Sequence, residues 1–208
     1  MCNCYNCQVI HDEFIEMIEH SHEYPDVELK EKLEPYVYQQ IKRSKKNLET
    51  ISECPNTEDF CELFHTDFMG LGVRATTDIS SKTIIGCYLG SIELSTNKSV
   101  DWKYSFAYAM NGYVVDGSDM KSMMSCVNHS RKPNVDVDYR IHMVDGQKQC
   151  HIAFITNQFI CSGEELYIDY GKEYWDWASK NGYVEINMYD TNERPLKRQR
   201  KITEYFSR

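Results

Sequence analysis

The sequence predicts an α+β protein, in which a mainly β domain of small curled sheets is preceded by a helical region. Apolar residues recur at helical spacing from Asp12 to about Ser52, within a stretch rich in Glu, Lys and Gln. The texture then changes at Pro55. Beyond it come short runs rich in β-branched and aromatic residues, separated by Gly, Asn and Asp turns.

Phe14, Met17 and Ile18, then Leu33, Tyr36, Val37, Ile41, Leu48 and Ile51, supply the apolar faces of two or three amphipathic helices. Pro25 and Asp26 suit the start of the second helix. Pro55, with Asn56 and Thr57, marks an exit, so a boundary is expected within residues 53–65. Strands are expected over Thr83–Leu89, Tyr104–Tyr108, Tyr113–Val115, His151–Ile155 and Glu165–Ile168, and a short helix from Lys172. Neither an internal repeat nor a parallel βαβ alternation is visible. The chain therefore divides into an N-terminal cysteine cluster with a helical extension (1–60), a central domain (61–178) and a tail (179–208).

A chain of 208 residues that is 41% hydrophobic can build one sizeable core. No run approaches the roughly 18 apolar residues of a membrane span, and the N-terminus lacks signal-peptide features, so a soluble intracellular protein without a membrane partner is expected. The nine cysteines are an odd number, and Cys87, Cys126 and Cys161 sit singly beside apolar residues; reduced thiols are expected. The formal charge is -9, but the segment from Asn192 carries six basic and two acidic side chains, leaving 17 basic and 30 acidic in the rest. Such an acidic body disfavours nonspecific nucleic-acid binding and would attract a cationic peptide; a surface charged for solubility explains it equally well.

Three segments could carry chemistry. Gly70-Leu71-Gly72 enters a strand, where glycines let backbone approach a ligand closely, as they also do in ordinary tight turns. Asn128-His129-Ser130, followed by Pro133-Asn134, offers amide, imidazole and hydroxyl groups that can hold a ligand or satisfy a turn. Asp169-Tyr170-Gly171 follows a strand and places a phenol where it could orient an amine or simply pack.

In this order and spacing, with Ile85-Gly86-Cys87-Tyr88-Leu89-Gly90 as a suitable strand between the first two, the set resembles the SET-domain family across about residues 65–176. Cys126-Val127-Asn128-His129-Ser130 and Gly163-Glu164-Glu165-Leu166-Tyr167-Ile168-Asp169-Tyr170-Gly171 match the family's two most distinctive segments. The resemblance implies a SET fold, with the chain threaded as a pseudoknot near the Asn-His segment, a rare exception to unthreaded connections. It also implies that Gly70, Leu71, Gly72, Asn128, His129, Tyr170 and Trp175 bind S-adenosylmethionine. Tyr88, Tyr104, Ile168 and Tyr170 would line a channel for the target lysine, with Tyr170 and Tyr88 as the catalytic residues.

This chain departs from the family pattern in two places. Ile168 stands where many members carry Phe or Tyr two residues before the essential tyrosine; an aliphatic side chain holds no water against the amine and favours higher methylation, and compact viral SET proteins are similar here. After Gly171 the chain reads Lys172-Glu173-Tyr174-Trp175-Asp176-Trp177, without the cysteine-rich zinc segment that closes the channel in several histone methyltransferases. Trp175 or Trp177 could cover the adenine or the channel; a helix burying both indoles in the core is the alternative.

Both ends carry short motifs. Cys2, Cys4, Cys7 and His11 could close a tetrahedral zinc site, with Cys54 or Cys61 as alternatives to His11 and a cluster of flexible thiols beside a helix as the other reading. Gln199, Ile202, Tyr205 and Phe206 fit the PIP box, Gln-x-x-aliphatic-x-x-aromatic-aromatic, by which partners bind the DNA sliding clamp. The basic run Pro195–Lys201 resembles a nuclear import signal.

The expected activity is S-adenosylmethionine-dependent methylation of a lysine on a histone or other basic protein tail. The expected location is the nucleus, a host nucleus if the protein is viral, with the cytoplasm as the alternative. Two other readings remain, a catalytically silent SET adaptor tethered to the sliding clamp and a methyltransferase of a non-histone protein.

Overall fold

The computed structural model describes residues 5–44, 50–51, 54–67, 69–144 and 146–183. In chain order these form α1 (Tyr5–Glu19), α2 (Asp26–Lys32), α3 (Pro35–Ser44), β1 (Thr50–Ile51), β2 (Cys61–His65), β3 (Leu71–Ala75), β4 (Ile84–Tyr88) and β5 (Ser91–Leu94). There follow β6 (Ser105–Ala107), β7 (Tyr113–Asp116), β8 (Asn128–His129), β9 (Val135–Val144), β10 (Gln147–Thr156), β11 (Tyr167–Ile168) and α4 (Gly171–Lys180). This is the α+β arrangement of small, mostly antiparallel sheets that the sequence predicts. Among the described residues no helix is long and apolar enough to cross a membrane.

The chain forms two compact units, each assembled from three segments. The first comprises Met1–Pro55, Gly86–Ser125 and Val137–Phe154; the second comprises Asn56–Ile85, Cys126–Asp136 and Ile155–Arg208.

In the first unit α1 buries Phe14, Met17 and Ile18, whose spacing makes one helical stripe. Pro25 precedes α2, and Asp26 and Glu28 in its first turn and Lys30 and Lys32 in its last complement the helix dipole. Next, the Glu34 carboxylate accepts the backbone N–H groups of Tyr36 (2.8 Å) and Val37 (3.1 Å), capping α3, which opens on Pro35. Val37 is buried from α3, whereas Tyr36, expected on the apolar face, is 49% exposed and its hydroxyl accepts from Gln40. Leu48 and the side chain of Ile51 lie outside the described residues.

The four-stranded sheet runs in the order β1-β9-β10-β4, with β1 parallel to β9, and a three-stranded antiparallel sheet runs β5-β7-β6. Of the strand expectations, Thr83–Leu89 and Tyr113–Val115 correspond to β4 and β7. Tyr104 instead ends the short turn Trp102–Tyr104 that leads into β6. β9 lies outside the strands expected from sequence, although Val135, Val137, Tyr139, Ile141 and Met143 alternate with polar residues in the period of a strand, and it pairs with β10.

Cys87, expected as a free thiol, is disulfide-bonded to Cys54, with Cα atoms 6.2 Å apart. Cys61, Cys150 and Cys161 are free thiols. Burial pushes the Cys61 thiol up to about 12 and raises those of Cys126 and Cys150, so these three are packing residues rather than nucleophiles.

The second unit holds the antiparallel pair β2-β3 and the parallel pair β8-β11, around a core that includes Val73, Ile79, Ile160, Leu166 and Ile168. Of the expected strand Glu165–Ile168, Tyr167 and Ile168 form β11, while Glu165 makes an isolated antiparallel bridge to Arg74 of β3.

Candidate active site

The Gly-x-Gly segment sits at the start of β3. The Thr66 N–H and hydroxyl both donate to the Gly70 carbonyl (2.7 and 3.1 Å), and Gly70 adopts φ 78°, a conformation that suits glycine. A Cβ on Gly72 would lie 2.8 Å from both Glu165 Oε1 and Thr66 Cγ2. The absence of a side chain at Gly72 therefore lets a carboxylate reach the strand.

Residues 164–166 run alongside β3: the Ala75 N–H donates to the Glu164 carbonyl (2.9 Å) and the Leu166 N–H to the Val73 carbonyl (2.8 Å). This places Glu165 beside Asn128. The Asn128 amide donates to the Leu71 carbonyl (3.2 Å) and to Glu165 Oε1 (3.0 Å), while Glu165 Oε2 accepts from the Tyr167 hydroxyl (2.7 Å). Asn134 holds the same strip from the other side, donating to the Glu165 carbonyl (2.8 Å) and accepting from the Tyr167 N–H (2.8 Å).

β8 pairs with β11 in the register Asn128↔Tyr167 and His129↔Ile168. His129 is 4% exposed, and its Nδ1 accepts the Tyr170 N–H at 3.1 Å. Because Nδ1 is spent as an acceptor, the neutral ring carries its hydrogen on Nε2. The 3.6 Å approach of Asp169 Oδ1 to the same nitrogen is thus not an ion pair, and Asp169 instead accepts the Gly171 N–H (2.9 Å) where α4 begins.

Tyr170 donates its hydroxyl hydrogen to the Val127 carbonyl at 2.8 Å. Its ring centroid is 5.3 Å from that of His129 and 4.6 Å from that of Tyr174, and it stacks with Trp175 at 6.2 Å. Trp175 also meets His129 edge-on at 4.9 Å, and its indole Nε1 is buried with no hydrogen-bond partner among the described residues. Trp177 packs instead on Tyr174 and Tyr183.

The second unit thus brings together Gly70, Leu71, Gly72, Asn128, His129, Ile168, Tyr170 and Trp175. Ile168 is only 1% exposed. Tyr88 and Tyr104 belong to the first unit, where the Tyr88 hydroxyl donates to the Tyr104 carbonyl and the Tyr88 ring packs on Phe106 and Phe154. Motif reading missed Glu165, Tyr167 and Val127 as partners of the site; the one available signal was a carboxylate set between Gly163 and an apolar run.

Residues 70–171 match the SET domain family. They form a SET domain. Related curated proteins are histone-lysine N-methyltransferases: EHMT1 of Mus musculus, 29% identical over 57% of this chain, SETD2 of Mus musculus, 28% over 59%, and SUV39H1 of Xenopus laevis, 27% over 55%. The chain spans only 10%, 6% and 30% of those proteins' own lengths.

Other expected sites fall partly or wholly outside the described residues. Cys2 and Cys4, the Cys7 side chain, and Gln199, Ile202, Tyr205 and Phe206 all lie there. Among the described residues no group of three His, Cys, Asp or Glu could hold a metal ion. His11 is 2% exposed, its Nδ1 is 2.8 Å from the Tyr108 hydroxyl, and its Nε2 is buried with no partner among them.

Proposed function

We propose that this SET-domain protein transfers a methyl group from S-adenosylmethionine to a lysine of a histone or another basic protein. The observation that carries the reading is the convergence of Asn128, His129 and Tyr170 at one short parallel strand pair and the turn after it, with the Asn128 amide nitrogen, His129 Nδ1 and the Tyr170 hydroxyl each held by a named partner. The residues present fit the cofactor: the Trp175 indole N–H is buried and unspent, and the Asn128 side-chain oxygen accepts no hydrogen bond among the described residues. When bound, S-adenosylmethionine supplies the electrophilic methyl group on a sulfonium.

Asn128, His129 and Trp175 would hold the cofactor. The Tyr170 hydroxyl donates its hydrogen to the Val127 carbonyl, and a phenol oxygen can accept as well as donate, which suits an amine N–H and leaves the nitrogen lone pair for attack. An aromatic surround lowers the pKa of a desolvated lysine and favours its neutral form. The aliphatic Ile168 favours products beyond monomethyl.

Labelled S-adenosylmethionine offered with core histones and nucleosomes tests the reading. Label on one histone, lost with Tyr170→Phe, supports it. Cofactor binding with no transfer to any basic protein would favour the adaptor reading, and label on non-histone proteins alone would move the substrate.

The relatives' names and the basic tail favour a nuclear location. We further propose that Gln199, Ile202, Tyr205 and Phe206 bind the sliding clamp, a reading carried by sequence and tested by calorimetry with the clamp. A structural zinc on Cys2, Cys4, Cys7 and His11 is favoured by the buried, unspent His11 Nε2; zinc-free purified protein would dismiss it.

A further inference from the structure

We propose that Glu165 is a positioning residue that locks the Asn128 amide with its oxygen turned toward the amino-acid end of the cofactor, an inference that rests on the methyltransferase reading above. The two ends of an asparagine amide have nearly the same shape and opposite hydrogen-bonding character, so its partners decide which end a ligand meets. Asn128 is 8% exposed, and its nitrogen meets two groups that can only accept, the Leu71 carbonyl at 3.2 Å and Glu165 Oε1 at 3.0 Å. Turning the amide over would set oxygen against oxygen at both contacts.

The carboxylate that enforces this is itself fixed. Its other oxygen accepts from the Tyr167 hydroxyl at 2.7 Å, its main-chain carbonyl accepts from Asn134 at 2.8 Å, and Gly72 leaves it room. With both hydrogens committed, Asn128 can offer a ligand only its oxygen. A carboxylate 3.0 Å behind that amide favours a cationic donor over a neutral one, and the α-ammonium of the methionine part is the cofactor's cationic N–H group.

The test is calorimetric titration of the full chain with S-adenosylhomocysteine and with methylthioadenosine, which keeps the nucleoside and lacks the amino-acid end. Glu165→Ala is expected to weaken S-adenosylhomocysteine roughly tenfold, about 1.4 kcal/mol, and to leave methylthioadenosine unchanged. Glu165→Gln should restore most of the binding, short of what the carboxylate's charge adds, because its amide oxygen can accept from Asn128 while its nitrogen donates to the Tyr167 hydroxyl. Tyr167→Phe loosens the same carboxylate without emptying the space, and should give a smaller loss with the same selectivity, which keeps the test open if Glu165→Ala does not fold.

Equal loss of both ligands, or no loss of either in the Glu165→Ala and Tyr167→Phe variants, would overturn the assignment. A wild-type chain that binds neither ligand would instead defeat the methyltransferase reading and this inference with it.

Discussion

The Tyr170 hydroxyl is tethered to the Val127 carbonyl, one residue before the Asn-His strand, at 2.8 Å. A hydroxyl fixed in this way is a directed acceptor. Tyr170→Phe removes the acceptor and leaves the Val127 carbonyl without that donor, at a cost of about 1 kcal/mol in stability. Turnover on any accepted substrate should fall at least about a hundredfold, the usual scale for losing a positioned catalytic group, with cofactor affinity nearly unchanged. Single-turnover rates and cofactor titration separate the two effects; a parallel loss of cofactor binding would assign Tyr170 to holding the cofactor instead of orienting the amine.

Gly90 follows the Tyr88 strand at a point where backbone meets backbone. A Cβ there would lie 2.0 Å from the Asp116 carbonyl oxygen and 2.9 Å from the Gly117 nitrogen, and main chain yields far less readily than a side-chain tip. Gly90→Ala should therefore destabilise the first unit by about 3 kcal/mol. Gly112→Ala is the control: its φ is 84° but nothing lies within 4 Å, so only backbone strain, about 1 kcal/mol, is at stake. Urea unfolding of the two variants should rank them in that order.

The sequence made the motifs legible because each is contiguous and their order is specific. Helix α1 was legible because Phe14, Met17 and Ile18 declare a helical stripe locally. The strands β8 and β11 are only two residues each, however, and exist through pairing across nearly forty positions, Asn128 with Tyr167 and His129 with Ile168, which leaves no periodicity to read. Glu165 could be read as part of a motif but not as the partner of Asn128, since that contact depends on the tertiary path that lays residues 164–166 along β3.

Disulfide connectivity is likewise not a sequence property, and the Cys54–Cys87 bond emerges only from the fold. It closes a 33-residue separation and ends next to Tyr88. Constraining the unfolded chain over such a loop is worth at most about 4 kcal/mol. Thermal unfolding with and without a dithiol reductant should show a lower melting temperature on reduction, and Cys54→Ser should abolish the difference. A melting temperature indifferent to reductant in the wild-type chain would mean that the two thiols are not joined in solution.

In the metal-free protein His11 and His151, both in the first unit, make stability depend on acid. Burial lowers His11 to about 4; burial first, then the neighbouring His142 and His11, lowers His151 to about 3. In the unfolded chain both titrate near the ordinary histidine value of about 6.5. Above that pH neither state binds the proton and stability is complete; as pH falls from about 6.5 toward 4, the unfolded chain takes up two protons that the folded chain refuses. Stability should then fall by up to about 2.7 kcal/mol per pH unit, the linkage slope for two protons. Urea midpoints at pH 7 and pH 5 measure the loss, and His11→Gln with His151→Gln should flatten it, since carboxylates contribute little of their own titration in that window. A double variant as acid-sensitive as the wild type would assign the loss to other groups and show that these imidazoles are hydrated in solution.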